Sequence, residues 1–494
     1  MKRYRLLLIT AIFLFAIGFT AAGPYAHAQT GDRRTFGLRE SIEMAQRNSA
    51  RARALQRTYD IALWQYQSFS SAYLPQLNLS GDIPGLTRSI TAFRNADGEQ
   101  FSEVSQTVAS ADLGISQRIP LTGADLRISS GLSNTSSLTT DATQWRSSPF
   151  SISLTQPLFR FNDQSWERKI EPMRRMLAER TYVEEMERIA VDISDRFFNL
   201  YISRMNLESA RFNKAINDTI FRLSQGRFRV GSIAENDLLQ SELAYMNAEM
   251  RVSDAELNYN VAQRTFARAI GLAPDEVVDV SPPPLARSLD IGAEQAVALA
   301  LQHRSEVLGF ELQDVETQRD VERSESEAGF NATISASLGF NQTSTEFQTA
   351  YDNLLDAQRF SVSFSMPLLD WGGSGAQQQI AFARRQQALD AISEERLDFE
   401  QQVYLVASQF LNAQRQINIA AKSDTIARKR FEVAKNRYLI GKIGITELFQ
   451  AQAERDGATQ GYIQALGAYW TAFYRLRWIT MYDFLEQRPL VSGN

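Results

Sequence analysis

The sequence has no cysteine and only two histidines, and each scarcity excludes a kind of chemistry. Without cysteine the chain has neither a disulfide nor a lipid-modified N-terminal cysteine. His303 is the single histidine beyond residue 28, so a metal site would depend on carboxylates, and no EF-hand-like loop is present. The sequence therefore predicts no metal and no cofactor.

Positive charge is also in deficit, with 52 basic residues against 57 acidic ones. The clustered excess of Lys and Arg that marks a nucleic-acid partner is missing. No arrangement of Ser, His and Asp matches a nucleophile motif. The glycine-rich run at 372–375 lacks the Gly-Lys-Ser/Thr ending of a phosphate-binding loop. We therefore expect neither nucleic-acid binding nor an enzyme.

Long apolar runs are confined to the N-terminus. Lys2 and Arg3 precede an apolar stretch at 6–22 and a small-x-small triplet at 26–28, which predicts a signal peptide over residues 1–28. The alternative is a retained single-span anchor. No later window is apolar over enough residues to cross a bilayer as a helix. After export, contact with a membrane would then depend on strands or on a surface.

The chain contains an internal repeat with a spacing of 210 residues. The stretch "GRFRVGSIAENDLLQSE" at 226–242 interrupts a helical pattern, and "KNRYLIGKIGITELFQAQ" at 435–452 does so again. At the same spacing, "SISLTQPLFRFNDQSWERKI" at 151–170 matches "SVSFSMPLLDWGGSGAQQQI" at 361–380. These pairs indicate a tandem duplication. Its predicted parts are a first repeat at 29–280, a Pro-rich linker at 281–290, a second repeat at 291–486 and a tail at 487–494.

Each repeat has the pattern helix, strands, very long helix, reversal, long helix. The predicted helices are Leu38–Tyr73, Ser165–Gly226, Ile233–Ile270, Ala293–Ala328, Ala376–Ile440 and Thr446–Phe484. A helix of about 60 residues is about 90 Å long, so these helices must bundle lengthwise. Their narrow apolar seams, diluted by polar residues, fit a hollow helical cylinder and a plain coiled coil almost equally well.

The strand segments favour a membrane protein. Ser151–Leu158 and Phe360–Leu368 alternate apolar and small polar residues, and 333–340 and 77–83 do so more loosely. Strands between long helices have exposed edges unless they close into a barrel, and closure inside a bilayer also satisfies the backbone. The predicted fold class is mainly α with a membrane β-barrel.

The first repeat has additional residues before its long helix. They include "LGISQRIPLTGADLRISSGL" at 113–132, which predicts two strands around a tight turn at 121–124. The alternatives are an extra strand pair near 109–134, giving six strands per chain, and an elaborated loop. The polar segments Arg94–Val108 and Thr135–Ser147 are expected to be extracellular loops.

The motifs "LTQPLFRF" and "SMPLLDWGG" and the two reversals together resemble the TolC-like outer-membrane efflux protein family, from about Leu38 to Phe484. The resemblance implies a homotrimer with one shared barrel in outer-membrane lipid and one periplasmic helical tunnel. Such proteins are passive exit ducts for inner-membrane pumps, joined to them by periplasmic adaptor proteins. Six strands would depart from the family's four. A different hypothesis is a periplasmic coiled-coil scaffold with no channel function.

The resemblance also assigns roles to the reversals, as turns at periplasmic tips where adaptors dock. Gly231 and Gly441 would occupy backbone positions where a Cβ would clash, although they could also simply end helices. The predicted docking residues are Arg227, Val230, Gly231, Ile233, Arg437, Ile440, Gly441 and Ile443.

In the family, acidic side chains just beyond the second reversal ring the periplasmic aperture. The first family position matches Glu447, and the second falls on the neutral Gln450. Asp237, the repeat counterpart of Glu447, would add charge, and Gln240 and Tyr438 complete the predicted gate. The alternative is that Glu447 is an ordinary acid at a helix N-terminus.

Overall fold

Helices dominate the computed structural model, which describes residues 34–95, 98–273, 275–282, 289 and 291–491. The predicted signal peptide and most of the Pro-rich linker lie outside these described residues. The helices are α1 (Leu38–Asn48), α2 (Ala50–Ser71), α3 (Asp163–Arg229), α4 (Glu235–Ala269), α5 (Ala293–His303), α6 (Ser305–Glu327), α7 (Gly373–Leu439) and α8 (Ile445–Thr480). In the described part of the chain, none of them has both the length and the apolar character that a membrane span requires.

The two longest helices have the same spacing as the sequence repeat. Helices α3 and α7 each have 67 residues, about 100 Å of helix, and they begin and end 210 positions apart. α3 packs along α4, and α7 packs along α8, so each repeat contributes one long helical hairpin. The two hairpins meet where α3 packs against α8.

The first helix of each repeat is broken once, which the sequence did not predict. Ser49 and Arg304 take extended backbone with ψ near 150° at the same relative place. The Ser49 side chain accepts a hydrogen bond from the backbone N–H of Ala52 at 3.0 Å and so caps α2. The predicted Leu38–Tyr73 and Ala293–Ala328 are therefore two helices each.

One antiparallel sheet of six strands lies at one end of the hairpins. Its strands follow the order β2 (Gln76–Asn95), β3 (Gly98–Ile119), β4 (Ala124–Ser137), β5 (Thr143–Leu158), β7 (Asn331–Ser344) and β8 (Leu355–Ser365). The segment 113–132 forms parts of β3 and β4, so it belongs to the sheet and is not a loop. Its turn lies at the helical end, where the Asn162 side chain donates to the Pro120 carbonyl at 2.9 Å.

The expected loops at Arg94–Val108 and Thr135–Ser147 are largely strand, so these predictions were wrong in extent. β3 pairs with β2 along residues 98–108, although β4 reaches only as far as Gln106 on its other side. The end of the β2–β3 hairpin is therefore a two-stranded ribbon beyond the sheet. Arg88 and Glu103 form an ion pair across it at 2.5 Å. A ribbon with both faces open lacks the apolar alternation by which strands are recognised.

Two further strand pairs lie outside the six-stranded sheet. Strand β1 (Arg34–Gly37) runs parallel to β6 (Val278–Ser281), so the start of the first repeat lies beside its end. Strands β9 (Tyr482–Asp483) and β10 (Arg488–Pro489) pair after α8. The largest core cluster lies nearby among the helices, and it includes the fully buried rings of Phe197, Phe266, Phe410 and Phe473.

Candidate functional site

The two reversals are tight turns with the same hydrogen bonds, at the ends of the hairpins opposite the sheet. In the first, the Ser232 N–H donates to the Arg227 carbonyl at 2.8 Å, and the Gly231 N–H donates to the Phe228 carbonyl at 2.9 Å. The second repeats both bonds with Lys442, Arg437, Gly441 and Tyr438 at 2.8 and 2.9 Å. Each is a Schellman ending, in which a residue in left-handed backbone closes a helix. These identical turns are called the tips below.

Glycine is favoured at the tips by backbone conformation and not by crowding. Gly231 has φ +69° and Gly441 has φ +70°, a region that residues with a Cβ rarely adopt. A Cβ added at either position would have no heavy atom within 4 Å. The expectation that a Cβ would clash with neighbours was therefore wrong. The open surroundings leave the tip surface free to accept another molecule.

The apolar residues of the tips divide into exposed and packed ones. Val230 is 75% exposed and Ile440 is 69% exposed, at equivalent positions. Ile233 and Ile443 are only half-buried, and Ile443 packs against a buried cluster between the hairpins that includes Tyr438. Of the predicted exposed pairs, only the first member of each is fully available to a partner.

Arg227 holds the two hairpins together instead of facing solvent. Its guanidinium donates to the carbonyls of Tyr438 and Leu439 at 3.4 and 3.2 Å, at the C-terminus of α7. It also lies over the Tyr438 ring, 5.3 Å from the centroid. A cation there satisfies terminal carbonyls and opposes the negative end of the helix dipole. Arg437, its repeat counterpart, is exposed and has no side-chain partner in the described part of the chain.

The predicted gate residues lie close to the tips along the chain. Glu447 is exposed in the first turn of α8, and Gln450 is exposed one turn further on. Asp237 and Gln240 are partly exposed at the equivalent places of α4. Tyr438 is buried, with its hydroxyl 3.5 Å from the Ser224 hydroxyl. A single chain holds one Glu447, so the acidic ring stays a prediction.

A polar joint between the hairpins was missed by sequence reasoning. The Arg455 guanidinium lies between the rings of Phe212 and Phe431, 4.6 and 4.4 Å from their centroids. It donates to the Asn213 side chain at 2.6 Å, and Asp456 accepts from Asn213 at 2.5 Å. In the sequence these residues look like an ordinary solvated helix face. Only the packing of α3 on α8 shows that they join the hairpins.

A second missed cluster lies beside the helix break at Arg304. Glu184 and Arg304 are both buried, and a Glu184 carboxylate oxygen lies 3.6 Å from the Arg304 Nε. The same carboxylate accepts from the Ser305 N–H and hydroxyl at 2.5 and 2.6 Å, at the start of α6. Burial raises the pKa of Glu184, while Arg304 and Ser305 oppose that rise.

The glycine-rich run at 372–375 forms the start of α7. Gly372 has φ +85°, and the Asp370 carboxylate accepts from the N–H groups of Gly372 and Ser374 at 3.0 and 2.8 Å. The Ser374 hydroxyl also donates to the Asp370 carboxylate, and these hydrogen bonds lower the pKa of Asp370. The protein's own carboxylate thus occupies the place that a phosphate would take at a helix N-terminus.

Comparison with known proteins identifies the family. The model of the outer membrane efflux protein family matches residues 41–272 and 298–480, most of the chain. The chain belongs to the outer membrane efflux protein family. Members of this family are channel proteins, so the chain is an outer-membrane efflux channel and not an enzyme. Its long helices form the periplasmic portion, and the alternative of a scaffold with no channel function is not supported.

Solved structures share the architecture of this efflux protein. The CmeC outer membrane channel of Campylobacter jejuni aligns over 91% of this chain and 88% of its own, with a TM-score of 0.67 and 13% identity. VceC of Vibrio cholerae aligns over 90% and 95%, with a TM-score of 0.65 and 14% identity. A membrane protein of Pseudomonas aeruginosa aligns over 92% of both chains, with a TM-score of 0.66 and 15% identity. Such low identity shows a shared fold alone. No curated protein matches the sequence.

Proposed function

We propose that three copies of this efflux protein form one trimeric duct through which an inner-membrane pump exports its cargo. The observation that best supports assembly is the open sheet. β2 and β8 are its edge strands, and each leaves a row of backbone groups without a partner strand among the described residues. Natural proteins cover or close such edges, and a barrel shared between copies would pair β8 of one copy with β2 of the next.

Apolar side chains on the edge strands support burial in outer-membrane lipid. Leu77 and Leu79 on β2 are 65% and 76% exposed, and Phe360 and Phe364 on β8 are 71% and 74% exposed. Within each pair the positions differ by an even number, so the side chains lie on one face of their strand. An apolar face of this kind is what a lipid-facing barrel wall requires.

The tips are the proposed docking surface for a periplasmic adaptor. Val230 and Ile440 offer two equivalent apolar contacts per chain, beside turns whose surroundings are open. Repeat-related contacts would let one type of adaptor tip bind six places around a trimer. The pump would then couple to the duct through the adaptor and need no direct contact with the sheet.

Assembly is tested by extracting the full chain from outer membranes in detergent. We expect a trimer that persists on heating until the barrel opens. Release of monomers by salt alone would contradict both the barrel and the trimer.

The aperture is the second part of the proposal. Three copies of Glu447 at the tunnel axis, each about 6 Å from a trivalent cation, would attract it by roughly 6 kcal/mol in water before screening by salt. Glu447 as an ordinary acid at the start of α8, away from the axis, would not give such attraction.

Conductance of the purified trimer in planar bilayers separates these two roles. Trivalent cations should block the channel, and Glu447→Ala should weaken both block and cation preference while trimers remain. Glu395→Ala, which removes an exposed acid far from the tip, is the matched control. Unchanged block in Glu447→Ala and in the double variant with Asp237→Ala would remove these residues from the gate.

A further inference from the structure

The repeat predicts two equivalent contacts between hairpins, and only one of them forms within a single chain. Residues of α3 and α7 correspond at a spacing of 210, and the tips and following helices keep that register. Within the chain α3 packs against α8 of the second hairpin. The corresponding contact, from α7 to α4, cannot form between the same two hairpins once α3 and α8 lie between them. It requires a second copy of the chain.

Side-chain exposure marks the missing contact. Ile216 and Leu223 on α3 pack against the buried cluster between the hairpins. Their counterparts on α7, Ile426 and Val433, are each 58% exposed. Equivalent apolar side chains are thus partly covered in one repeat and exposed in the other. A symmetric assembly would cover both sets in the same way.

Residues that face each other in the α3–α8 contact can be compared with their counterparts on α7 and α4. Both members of a pair differ together. Within the chain the Ser209 hydroxyl lies 3.4 Å from the Asp456 carboxylate. The counterparts of these two residues are Ile419 and Met246, which are 71% and 57% exposed. Both members have changed from polar to apolar, as a contact requires, because a lone polar partner would be buried without a hydrogen bond.

A second pair changes in the same way beside the tip. The hydroxyls of Ser224 and Tyr438 lie 3.5 Å apart within the chain. Their counterparts are Ala434 and Phe228, and neither has a hydroxyl. Phe228 is 40% exposed, so its ring is available to a neighbour. Two independent matched pairs therefore indicate one contact surface.

From these observations we infer that Arg437 caps helix α3 of the next copy in the trimer. Its guanidinium takes the place that Arg227 takes within the chain, donating to the terminal carbonyls of Phe228 and Arg229 of the neighbouring copy. The Phe228 ring then lies beneath the guanidinium as the Tyr438 ring lies beneath Arg227. An arginine that donates to the terminal carbonyls of a helix in the next hairpin is called a clasp here. Clasps within a copy and clasps between copies would alternate around the periplasmic end. This inference rests on the proposed trimer and assigns Arg437 to assembly instead of adaptor docking.

Cysteine cross-linking tests the contact directly, because the chain has no cysteine of its own. With a short thiol cross-linker, the double variant Ile419→Cys/Met246→Cys should yield covalent trimers on denaturing gels, whereas neither single variant should. Lys214→Cys/Glu249→Cys is the positive control. The Lys214 Nζ and the Glu249 Oε1 lie 2.8 Å apart between α3 and α4 of one hairpin, so this pair should link without joining chains.

Three results would overturn the inference in different ways. A native trimer whose 419/246 pair stays monomeric, while the control pair links, rejects the contact and leaves the proposed duct standing. Absence of any native trimer rejects the duct and the clasp together. Links in the single variants would show that the copies meet through some other arrangement.

The clasp itself is tested by charge removal at one tip. Arg437→Gln should lower the temperature at which detergent-resistant trimers separate, and Arg437→Lys should restore part of the loss because a single cation still reaches the carbonyls. Lys442→Gln removes the same charge from the same exposed turn and should leave that temperature unchanged. Equal effects of Arg437→Gln and Lys442→Gln would contradict the clasp.

Discussion

Bulky substitutions at the tips should stop export while the channel stays assembled. Gly231 and Gly441 have φ of +69° and +70°, and left-handed backbone costs a residue with a Cβ about 1–2 kcal/mol. Open space around both positions adds no clash to this cost. Two substitutions per chain therefore cost about 2–4 kcal/mol, confined to the turns. The sheet lies at the other end of helices about 100 Å long, so trimers should remain.

Valine and asparagine separate surface effects from backbone strain. Both side chains project from the tip, but asparagine tolerates left-handed backbone and the β-branched valine does not. If an adaptor docks on the tips, the Gly231/Gly441 double variants to Asn and to Val should both lose export. If the glycines only end helices, the Asn variant should export normally and the Val variant alone should be impaired.

The assay is growth of cells that lack other outer-membrane ducts on a panel of toxic compounds, with trimer abundance measured in the same membranes. Glu395→Ala is the control for any general effect of a changed periplasmic helix. Normal export by both double variants at normal abundance would refute the docking assignment.

Three further predictions concern the rest of the chain. An epitope inserted at Asp141, in the turn between β4 and β5, should be labelled on intact cells, and labelling only after permeabilisation would reverse the topology. Glu184→Ala should destabilise the protein by about 1–3 kcal/mol in thermal unfolding, because it leaves the Ser305 N–H and hydroxyl without their acceptor while Glu306 still pairs with Arg304, and an unchanged stability would contradict this. Since burial raises the pKa of Glu184, the folded state holds its proton more tightly than the unfolded state, and stability should fall as pH rises from about 4.5 through the raised value. Glu184→Gln should flatten that fall, and an unchanged profile would assign it to another group.

The sequence predicted what the repeat spacing and local backbone chemistry determine. Gly231 and Gly441 mark the tips because left-handed backbone strongly favours glycine, and the period-two pattern of Ser151–Leu158 marks a strand in either repeat. Both signals are local and need no knowledge of neighbours. The helices around the tips accordingly begin and end within a few residues of the predicted bounds.

What the sequence did not predict depends on contacts between distant residues. The break at Arg304 is stabilised by Glu184, 120 positions away along the chain, and nothing in the local pattern interrupts the helix there. Arg455 between two rings looks like a solvated residue until α3 packs on α8. The ring of Glu447 would depend on other copies of the chain, so neither the sequence pattern nor one chain can place it.

The Arg227 clasp has a consequence for how the duct responds to acidity. Arginine keeps its proton at any physiological pH, and the carbonyls that it contacts do not titrate. The contacts of Arg227 between the hairpins therefore include no carboxylate and no histidine. Closer to the sheet along α3, burial raises the pKa values of Glu184 and Glu187, so these carboxyls hold their protons to a higher pH than exposed acids do. A change of pH would therefore act on the helices at these two carboxyls and not at the contacts of Arg227.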